Sequence, residues 1–175
     1  MEKNDGILPH EYVRCFDPTS LEYMIDVGDR FRIFLAGTID NGNSINWQNE
    51  VISHLKKEFS EKEMYASIYN PRRSDWNPNA STEELDGQIE WELEHLEKSD
   101  LIIMNILDDS KSPISLMELG LFARKGNVLV FCTPKFYRYE NVKLVCNKYG
   151  VKLFNTTDSN TIQKEILNKL YGKII

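Results

Sequence analysis

Cysteine and histidine are scarce in this sequence, and none falls in a spacing that indicates a disulfide framework or a metal site. The 175 residues include three cysteines, Cys15, Cys132 and Cys146, and no CxxC pair. An odd number of isolated cysteines favours reduced thiols and a cytoplasmic location. The three histidines also stand apart, so we expect neither a metal nor another cofactor.

Long hydrophobic runs and excess positive charge are also missing. No stretch approaches the roughly 18 consecutive apolar residues that indicate a transmembrane helix. The first ten residues, MEKNDGILPH, lack a basic segment followed by an apolar one, so neither a membrane span nor a signal peptide is expected. The net charge of −6 and the pI near 5.2 argue against a nucleic-acid polymer as partner.

The motifs of several common enzyme classes are missing too. The sequence contains no GxGxxG fingerprint, no P-loop and no GxSxG nucleophile motif. These absences argue against a Rossmann dinucleotide site, a P-loop nucleotidase and an α/β-hydrolase. The chemistry that remains is that of carboxylates, and two carboxylates that flank a scissile bond are the usual apparatus of glycosidic cleavage.

From residue 32 onward, short β-rich runs alternate with helical ones, as in a chain of βαβ units. Strands are predicted at 32–36, 64–69, 101–107, 128–133 and 151–155. Helices are predicted at 47–60, 81–98, from 113 onward, at 139–148 and at 159–172. This alternation predicts a flavodoxin-like α/β fold, a doubly wound five-stranded parallel sheet of order 2-1-3-4-5 with helices on both faces. The domain is predicted at 32–175; residues 1–31 form an extension that lies across it or reaches another subunit.

The predicted strand order also predicts where a ligand binds. In an open α/β sheet, ligands lie at the carboxyl ends of the strands, where the order reverses. Here that crevice lies between the first and third predicted strands. It is bounded by Gly37 and Thr38, by the loop 108–111, and by the helix that Ser112 is predicted to cap and Pro113 to begin.

Glu118 is the most unusual residue near this crevice. At about 100° per residue it lies on an apolar helix face, between Leu121 and Phe122. Burying an unpaired carboxylate costs several kcal/mol or forces it to take up a proton. Glu118 is therefore either a structural acid paired with a neighbour such as Arg124, or an acid or nucleophile kept out of water.

The helix predicted at 81–98 supplies a second acidic candidate. A capping box of Ser81 and Glu84 begins it. Its predicted core face consists of Leu85, Ile89, Leu93 and Leu96. The adjoining stripe consists of Gln88, Trp91, Glu92 and His95. Glu92 is the member nearest the core, and both a functional and a solvated role stay open for it. Trp91 lies away from the predicted core, which indicates a ligand wall or a subunit contact.

Several fragments, read in order, resemble the nucleoside 2-deoxyribosyltransferase-like family. They are FLAGTI at 34–39, WQ at 47–48, NPRR…W at 70–76, QIEWE at 88–92 and SPISLMELG at 112–120. The resemblance covers about residues 32–155. It implies a flavodoxin-like fold and base exchange on 2′-deoxynucleosides through a covalent deoxyribosyl-enzyme ester. Related members hydrolyse the N-glycosidic bond of nucleoside 5′-monophosphates.

The resemblance also implies roles for individual residues. Glu118 is the implied nucleophile, and Glu92 is implied to handle the base. The implied substrate-binding residues are Phe34, Gly37, Thr38, Trp47, Arg72, Gln88, Asp108 and Ser112. Two departures stand out: Phe34 replaces a frequent Tyr, and Ser112 replaces a frequent Asp, for which Asp108 or Asp109 is the substitute. These departures weaken the inference of specificity for deoxynucleosides more than they weaken the inference of N-glycoside chemistry.

Partners and assembly follow from the same resemblance. The expected ligands are a nucleoside or nucleotide and a free nucleobase, and the expected assembly is a homo-oligomer. The loop 133–142 would complete a neighbour's site, with Tyr137, Arg138 and Asn141 as the implied inter-subunit residues. Three functions stay open. They are a transferase, a monophosphate N-glycosidase favoured by Arg72, Arg73 and Lys111, and a nucleotide sensor without catalysis.

Overall fold

A computed structural model describes residues 11–19, 30–73, 75 and 77–172. Most of the predicted extension, and Trp76 of the NPRR…W fragment, lie outside the described residues. The described strands are β1 (Val13–Phe16), β2 (Phe31–Gly37), β3 (Ala66–Tyr69), β4 (Leu101–Ile106), β5 (Val128–Cys132) and β6 (Lys152–Phe154). The described α-helices are α1 (Trp47–Glu61), α2 (Thr82–Lys98), α3 (Pro113–Phe122), α4 (Tyr139–Tyr149) and α5 (Ser159–Tyr171). None of them combines the length and apolarity needed to cross a membrane.

The six strands form one parallel sheet in the order β1-β3-β2-β4-β5-β6. Strands β2 to β6 are the five predicted ones and follow the predicted order, so the fold class is confirmed. Strand β1 was not predicted; it lies within 1–31 and pairs Val13 with Ala66 at the edge of the sheet. It is only four residues long, and its two middle residues, Arg14 and Cys15, are half-buried. Its hydrophobic pattern is therefore too weak to predict a strand. The boundary predicted at residue 32 stays a prediction.

Helices cover both faces of the sheet, which explains why its central strands are mostly apolar. α2, α3 and α4 pack on one face through a core that contains Leu96, Leu119 and Val142. α1 and α5 pack on the other face through a second core, which contains Leu55 and Ile166. All six residues of β4 are buried because successive side chains enter the two cores alternately.

The predicted orientation of α2 is wrong, although its bounds and its capping box are confirmed. Leu96 is buried as predicted, whereas the other three leucine and isoleucine positions of the predicted core face are exposed: Leu85 by 40%, Ile89 by 51% and Leu93 by 40%. The stripe that faces the sheet is the one with Trp91, whose ring lies 6.1 Å from Phe34 and 6.2 Å from Tyr69. Burying the large Trp91 ring against other aromatic rings stabilises this orientation of α2 more than burying the smaller aliphatic side chains would.

Candidate active site

The candidate site lies between α2 and α3, on the face of the sheet where both helices pack against β2. β2 and β4 are neighbours in the centre of the sheet, and the order of the strands reverses there. α3 begins shortly after the carboxyl end of β4, as the strand order predicted. The two acidic candidates lie on these helices, Glu92 on α2 and Glu118 on α3, and the charge of Glu92 acts on Glu118.

Glu118 is buried and has no cationic partner among the residues that the structure describes. Only 6% of its surface is exposed, and no lysine or arginine in the described part of the chain forms an ion pair with it or with Glu92. Arg124, the partner considered for a structural role, instead places its guanidinium 5.0 Å from the Tyr149 ring and donates to the Tyr149 hydroxyl. Glu118 is therefore not the carboxylate of a structural salt bridge.

Burial and mutual repulsion keep this pair of carboxyl groups partly protonated. Burial, and secondarily the negative charge of Glu92, raise the pKa of Glu118 to about 8. Burial also raises the pKa of Glu92. The Gln88 amide donates to Glu92 Oε1 at 2.8 Å, and this hydrogen bond lowers the pKa by a smaller amount. Two close carboxyl groups that do not both ionise readily hold one proton between them near neutral pH.

Aromatic rings form the floor of the site on the α2 side. Phe34 is completely buried and lies beneath Trp91 on the same face of the sheet as Glu118. The Trp91 ring also stacks on His95, with 4.4 Å between centroids. His95 in turn lies 4.4 Å from the Tyr69 ring. Of the residues predicted to bind substrate, Gln88 thus contacts Glu92, and Phe34 lies beneath Trp91, the residue next to Glu92 in the chain.

Three hydroxyl groups join the carboxyl end of β2 to the start of α3. Thr38 Oγ1 lies 2.6 Å from Ser112 Oγ and 3.0 Å from Ser110 Oγ, and the two serine oxygens are 2.8 Å apart. Thr38 Oγ1 also accepts the Leu107 N–H, and Ser110 donates to the Leu107 carbonyl. Each hydroxyl has one proton and two lone pairs, and the contacts within the cluster and with Leu107 do not use all six lone pairs. The cluster can therefore accept a hydrogen bond from a ligand hydroxyl.

Ser112 does not cap α3 as predicted. The helix does begin at Pro113, but the Ser112 side chain makes no capping hydrogen bond. Its backbone is left-handed, with φ 42° and ψ 51°, and its hydroxyl is engaged by Thr38 and Ser110. A residue that is not glycine pays about 1–3 kcal/mol for such a conformation, and the hydroxyl cluster holds it in place.

Gly37 and Asp108 have structural partners that the sequence did not reveal. Gly37 has φ +129°, and a Cβ there would lie 2.1 Å from the carbonyl oxygen of Asn105. Only glycine allows β2 to approach β4 this closely. Asp108 Oδ1 accepts a hydrogen bond of 2.5 Å from Thr133. The contacts of Ser110 and Thr133 were not predicted, because isolated hydroxyl residues in loops have no sequence pattern. The polar run DDSKS at 108–112 is the one signal that points to a polar cluster here.

Two predicted substrate-binding residues lie away from the carboxyl groups. Trp47 is buried in the core beneath α1, on the other face of the sheet, and its indole N–H donates to the Thr38 carbonyl at 3.0 Å. Arg72 donates to the main-chain carbonyls of Gly42, Ser44 and Ile45. Both side chains hold the segment between β2 and α1 rather than face Glu118.

Of the remaining cationic and inter-subunit candidates, Arg73 is half-buried, whereas Lys111, Tyr137, Arg138 and Asn141 are exposed. Arg73 pairs with Asp75 at 2.9 Å. The Tyr137 hydroxyl donates to the Lys111 carbonyl at 3.4 Å, and the Arg138 guanidinium lies 5.3 Å from the Tyr137 ring. Arg138 and Asn141 line a groove of about 280 Å³ between α3 and α4, which also contains Leu116, Leu119, Gly120, Val142 and Val145. This groove lies on the side of α3 that faces away from α2.

Comparisons with known proteins agree with this architecture. The chain matches the family model described as nucleoside 2-deoxyribosyltransferase like over residues 30–136. No curated protein matches the chain. A crystal structure of a conserved protein from Enterococcus faecalis V583 superposes with a TM-score of 0.55 at 11% sequence identity, over 80% of this chain and 99% of that chain, which is a likeness of fold alone. The family match spans more than half of the chain and includes both carboxyl groups of the site, so the chain belongs to the nucleoside 2-deoxyribosyltransferase-like family.

Proposed function

We propose that this protein transfers a 2-deoxyribosyl group between nucleobases through a covalent intermediate on Glu118. The observation that carries the proposal is a pair of carboxyl groups, the buried Glu118 and the half-buried Glu92, near the switch point of the sheet. The two groups interact electrostatically, and neither has an ion-pair partner among the described residues. Such a pair supplies one acid and one nucleophile at the same pH, because their environments leave one proton between them.

In the first step, a carboxylate oxygen of Glu118 attacks C1′ of the nucleoside. The bond between C1′ and the base nitrogen breaks, and its electron pair leaves with the base. The raised pKa places the shared proton on Glu118 in the free site, so this proton passes to Glu92 before the attack. It then moves from Glu92 to the departing base, and Glu92 becomes the carboxylate again. The transition state has oxocarbenium character, and its positive charge stabilises the ionised form of Glu118 despite burial.

In the second step, a nitrogen of a second base attacks C1′ of the glycosyl ester from the face that the first base left. The ester bond breaks, its electron pair returns to Glu118, and Glu92 takes the proton released by the incoming base. Two inversions give net retention at C1′. Water in place of the second base gives hydrolysis, and the apolar surroundings of Glu118 reduce that side reaction by limiting access of water.

A nucleoside fits the charges around the site better than a nucleoside monophosphate. The guanidinium groups of Arg72 and Arg73 are engaged by main-chain carbonyls and by Asp75. A phosphate would have to displace these partners or rely on Lys111, which is exposed beside α3. The monophosphate N-glycosidase is the second candidate because of Lys111 and the main-chain amides at the start of α3, where anions bind favourably.

The proposal is tested by incubating the purified protein with a deoxynucleoside and a different free base, and with monophosphates, followed by chromatography. We expect a new deoxynucleoside, and in the absence of acceptor a Glu118-containing peptide heavier by one deoxyribosyl group. Release of base from monophosphates alone favours the hydrolase, and thermal stabilisation by a nucleotide without turnover favours the sensor. Glu118→Gln should abolish exchange; activity within about tenfold of wild type, or 1.4 kcal/mol of barrier, would exclude Glu118 as nucleophile.

The expected partners are therefore a nucleoside and a free nucleobase. The proposal includes a homo-oligomer, as the resemblance implies. Tyr137, Arg138 and Asn141 stay candidates for contacts between subunits, and their exposure leaves them accessible for such contacts.

A further inference from the structure

A second cavity lies at one edge of the sheet, away from the carboxyl pair. It has a volume of about 260 Å³ and lies beside the carboxyl ends of β1 and β3 and one side of α1. The apolar residues that line it are Cys15, Phe16 and Ile52. Ile52 is part of the core on the α1 face of the sheet, whereas α3, which carries Glu118, packs on the other face. The cavity is therefore separate from the candidate active site, and the proposed function does not use it.

Three cationic side chains line this cavity, in a chain whose net charge is −6. They are Lys56, Arg72 and Arg73, and Asp17 is the one acidic lining residue in the described part of the chain. Arg73 pairs with Asp75 at 2.9 Å, and the charge of Asp17 also acts on it. Acidic neighbours within the chain therefore offset the charge of Arg73.

The other two cations, Lys56 and Arg72, form no ion pair with a described residue. Burial raises the pKa of Cys15 and the charge of Lys56 opposes this rise, so Lys56 lies close to the inner surface of the cavity. Arg72 is half-buried, and burial lowers the pKa of its guanidinium. Two cations that lack a counter-charge favour the binding of an anion here.

Two asparagine side chains add hydrogen-bond donors to the lining of the cavity. Asn46 Oδ1 accepts the Asn49 N–H and caps α1, and Asn70 Oδ1 accepts the Arg72 N–H. Because the main chain holds the oxygen of each amide, the amino group is the part that remains for a ligand. The start of α1 adds the positive end of a helix dipole at the same place.

We propose that this cavity binds a small molecule that carries a phosphate group. The ammonium of Lys56 and the amino groups of Asn46 and Asn70 donate to the phosphate oxygens. The charge of Arg72 adds to the attraction, while its N–H groups stay on the main-chain carbonyls of the segment 42–45.

The charge and the size of the cavity define the class of ligand. A phosphate dianion offsets both unpaired cations, whereas a carboxylate offsets one of them. The volume exceeds that of a phosphate ion alone, and the apolar lining residues accommodate a compact ring or aliphatic part of the same molecule.

Isothermal titration calorimetry of the full chain with phenyl phosphate, at about 0.15 M salt, tests the proposal. We expect saturable binding with a Kd below about 10 mM. Phenol has the ring without the charge, and benzoate has a single negative charge. Both should bind several-fold more weakly than phenyl phosphate, because neither offsets both cations.

Variants of the proposed donors locate the bound anion. Lys56→Gln and Asn70→Asp should each weaken the binding of phenyl phosphate about tenfold or more, since each removes a donor to the phosphate. Asn70→Asp keeps the oxygen that accepts the Arg72 N–H, so the turn and the fold should persist. Circular dichroism and thermal unfolding check that both variants are folded.

Matched controls make the same chemical changes away from the cavity. Lys57→Gln is at the next, exposed position of α1. Asn77→Asp keeps an oxygen that accepts the Asn79 N–H, in the same kind of turn as at Asn70, and it does not line the cavity. Both controls should bind phenyl phosphate as wild type does.

Four results would overturn the proposal. They are no saturation up to about 10 mM phenyl phosphate, site variants that bind as wild type does, controls that lose as much affinity, and phenol or benzoate that binds as tightly as phenyl phosphate. Loss of binding in Lys111→Gln, with Lys56→Gln unaffected, would place the anion at the start of α3 and also reject this cavity. None of these measurements requires turnover, so binding without base exchange would uphold the cavity and reject the proposed reaction.

Discussion

The carboxyl group of Glu92 on α2 acts directly on that of Glu118 on α3, and its negative charge adds to the effect of burial on the pKa of Glu118. The two helices are separated by β4 in the chain, so the fold alone creates this pair. Two carboxyl groups that share one proton near neutral pH are the arrangement that glycosidic chemistry uses. The same pair makes specific predictions about pH and stability.

The first prediction concerns the pH dependence of Glu118. Glu92→Gln removes the secondary cause of the raised pKa and leaves burial in place, so the pKa of Glu118 should fall below about 8 and stay above its ordinary value. Titration of the Glu118 carboxyl carbon by NMR measures this shift. Glu90→Gln, which removes an exposed acid on the same helix, is the control. An unchanged pKa in Glu92→Gln would show that the two carboxyl groups do not interact.

The second prediction concerns stability. The pKa of Glu118 is raised in the folded state, so the stability that its protonated form contributes is complete below pH 4.5 and is lost as pH rises through about 8. Glu118→Gln stays neutral throughout, so its free energy of unfolding should exceed that of wild type at pH 8.5 by on the order of 2–4 kcal/mol. The difference should shrink toward pH 5.

Urea unfolding at pH 5 and pH 8.5 measures this difference, again with Glu90→Gln as control. We expect Glu118→Gln to gain stability and lose activity, because a site that buries a charge for function is less stable than one with a neutral residue there. Equal stabilities of Glu118→Gln and wild type at both pH values would contradict the raised pKa.

Much of the fold could be predicted because its signals are local. β4 is apolar except for Asn105, which indicates a strand covered on both faces. The alternation of strands and helices restricts the topology to a few orders. The burial of Glu118 was equally predictable, since apolar residues surround it on the helix wheel. β1 escaped prediction because its four residues have neither a strong pattern nor a complete βα unit around them.

The orientation of α2 could not be predicted, because the helix has two apolar stripes. A helix wheel shows which residues share a side, but it does not show what covers that side. The stripe of Leu85, Ile89 and Leu93 looks like a core face, yet Trp91 makes the contacts with the sheet because Phe34 and Tyr69 offer it aromatic partners. The role of Arg72 was hidden for a similar reason, since its partners are main-chain carbonyls that carry no side-chain signal.

The third prediction concerns the hydroxyl cluster. Thr38→Val keeps the shape of the side chain but removes the acceptor of the Leu107 N–H, and an unsatisfied buried donor costs about 1–3 kcal/mol. Thr38→Ser keeps the hydroxyl and loses only a methyl group, worth about 1 kcal/mol or less. Urea unfolding should therefore show a larger loss for Thr38→Val. A greater loss in Thr38→Ser would show that packing, and not hydrogen bonding, sets the role of Thr38.

The fourth prediction concerns Gly37. In Gly37→Ala the new Cβ would overlap the Asn105 carbonyl, and its backbone conformation is one that alanine rarely adopts. We expect a loss of more than about 4 kcal/mol, seen as insoluble or unfolded protein. Gly87→Ala is the matched control, because a Cβ there meets nothing within 4 Å; it should gain up to about 1 kcal/mol from helix propensity. A folded, stable Gly37→Ala would contradict the close approach of β2 and β4.

The last prediction separates a structural from a ligand-binding role for Arg72. Its planar guanidinium reaches three carbonyls of the segment 42–45, and the single ammonium of lysine cannot reproduce that fork. Arg72→Lys should therefore increase proteolytic cleavage in this segment several-fold, while Arg73→Lys, beside it on the surface, should leave cleavage unchanged. Because the positive charge is kept, the affinity for a nucleoside monophosphate should change little. Unchanged cleavage together with a loss of monophosphate binding would instead make Arg72 a phosphate ligand, and would favour the N-glycosidase over the transferase.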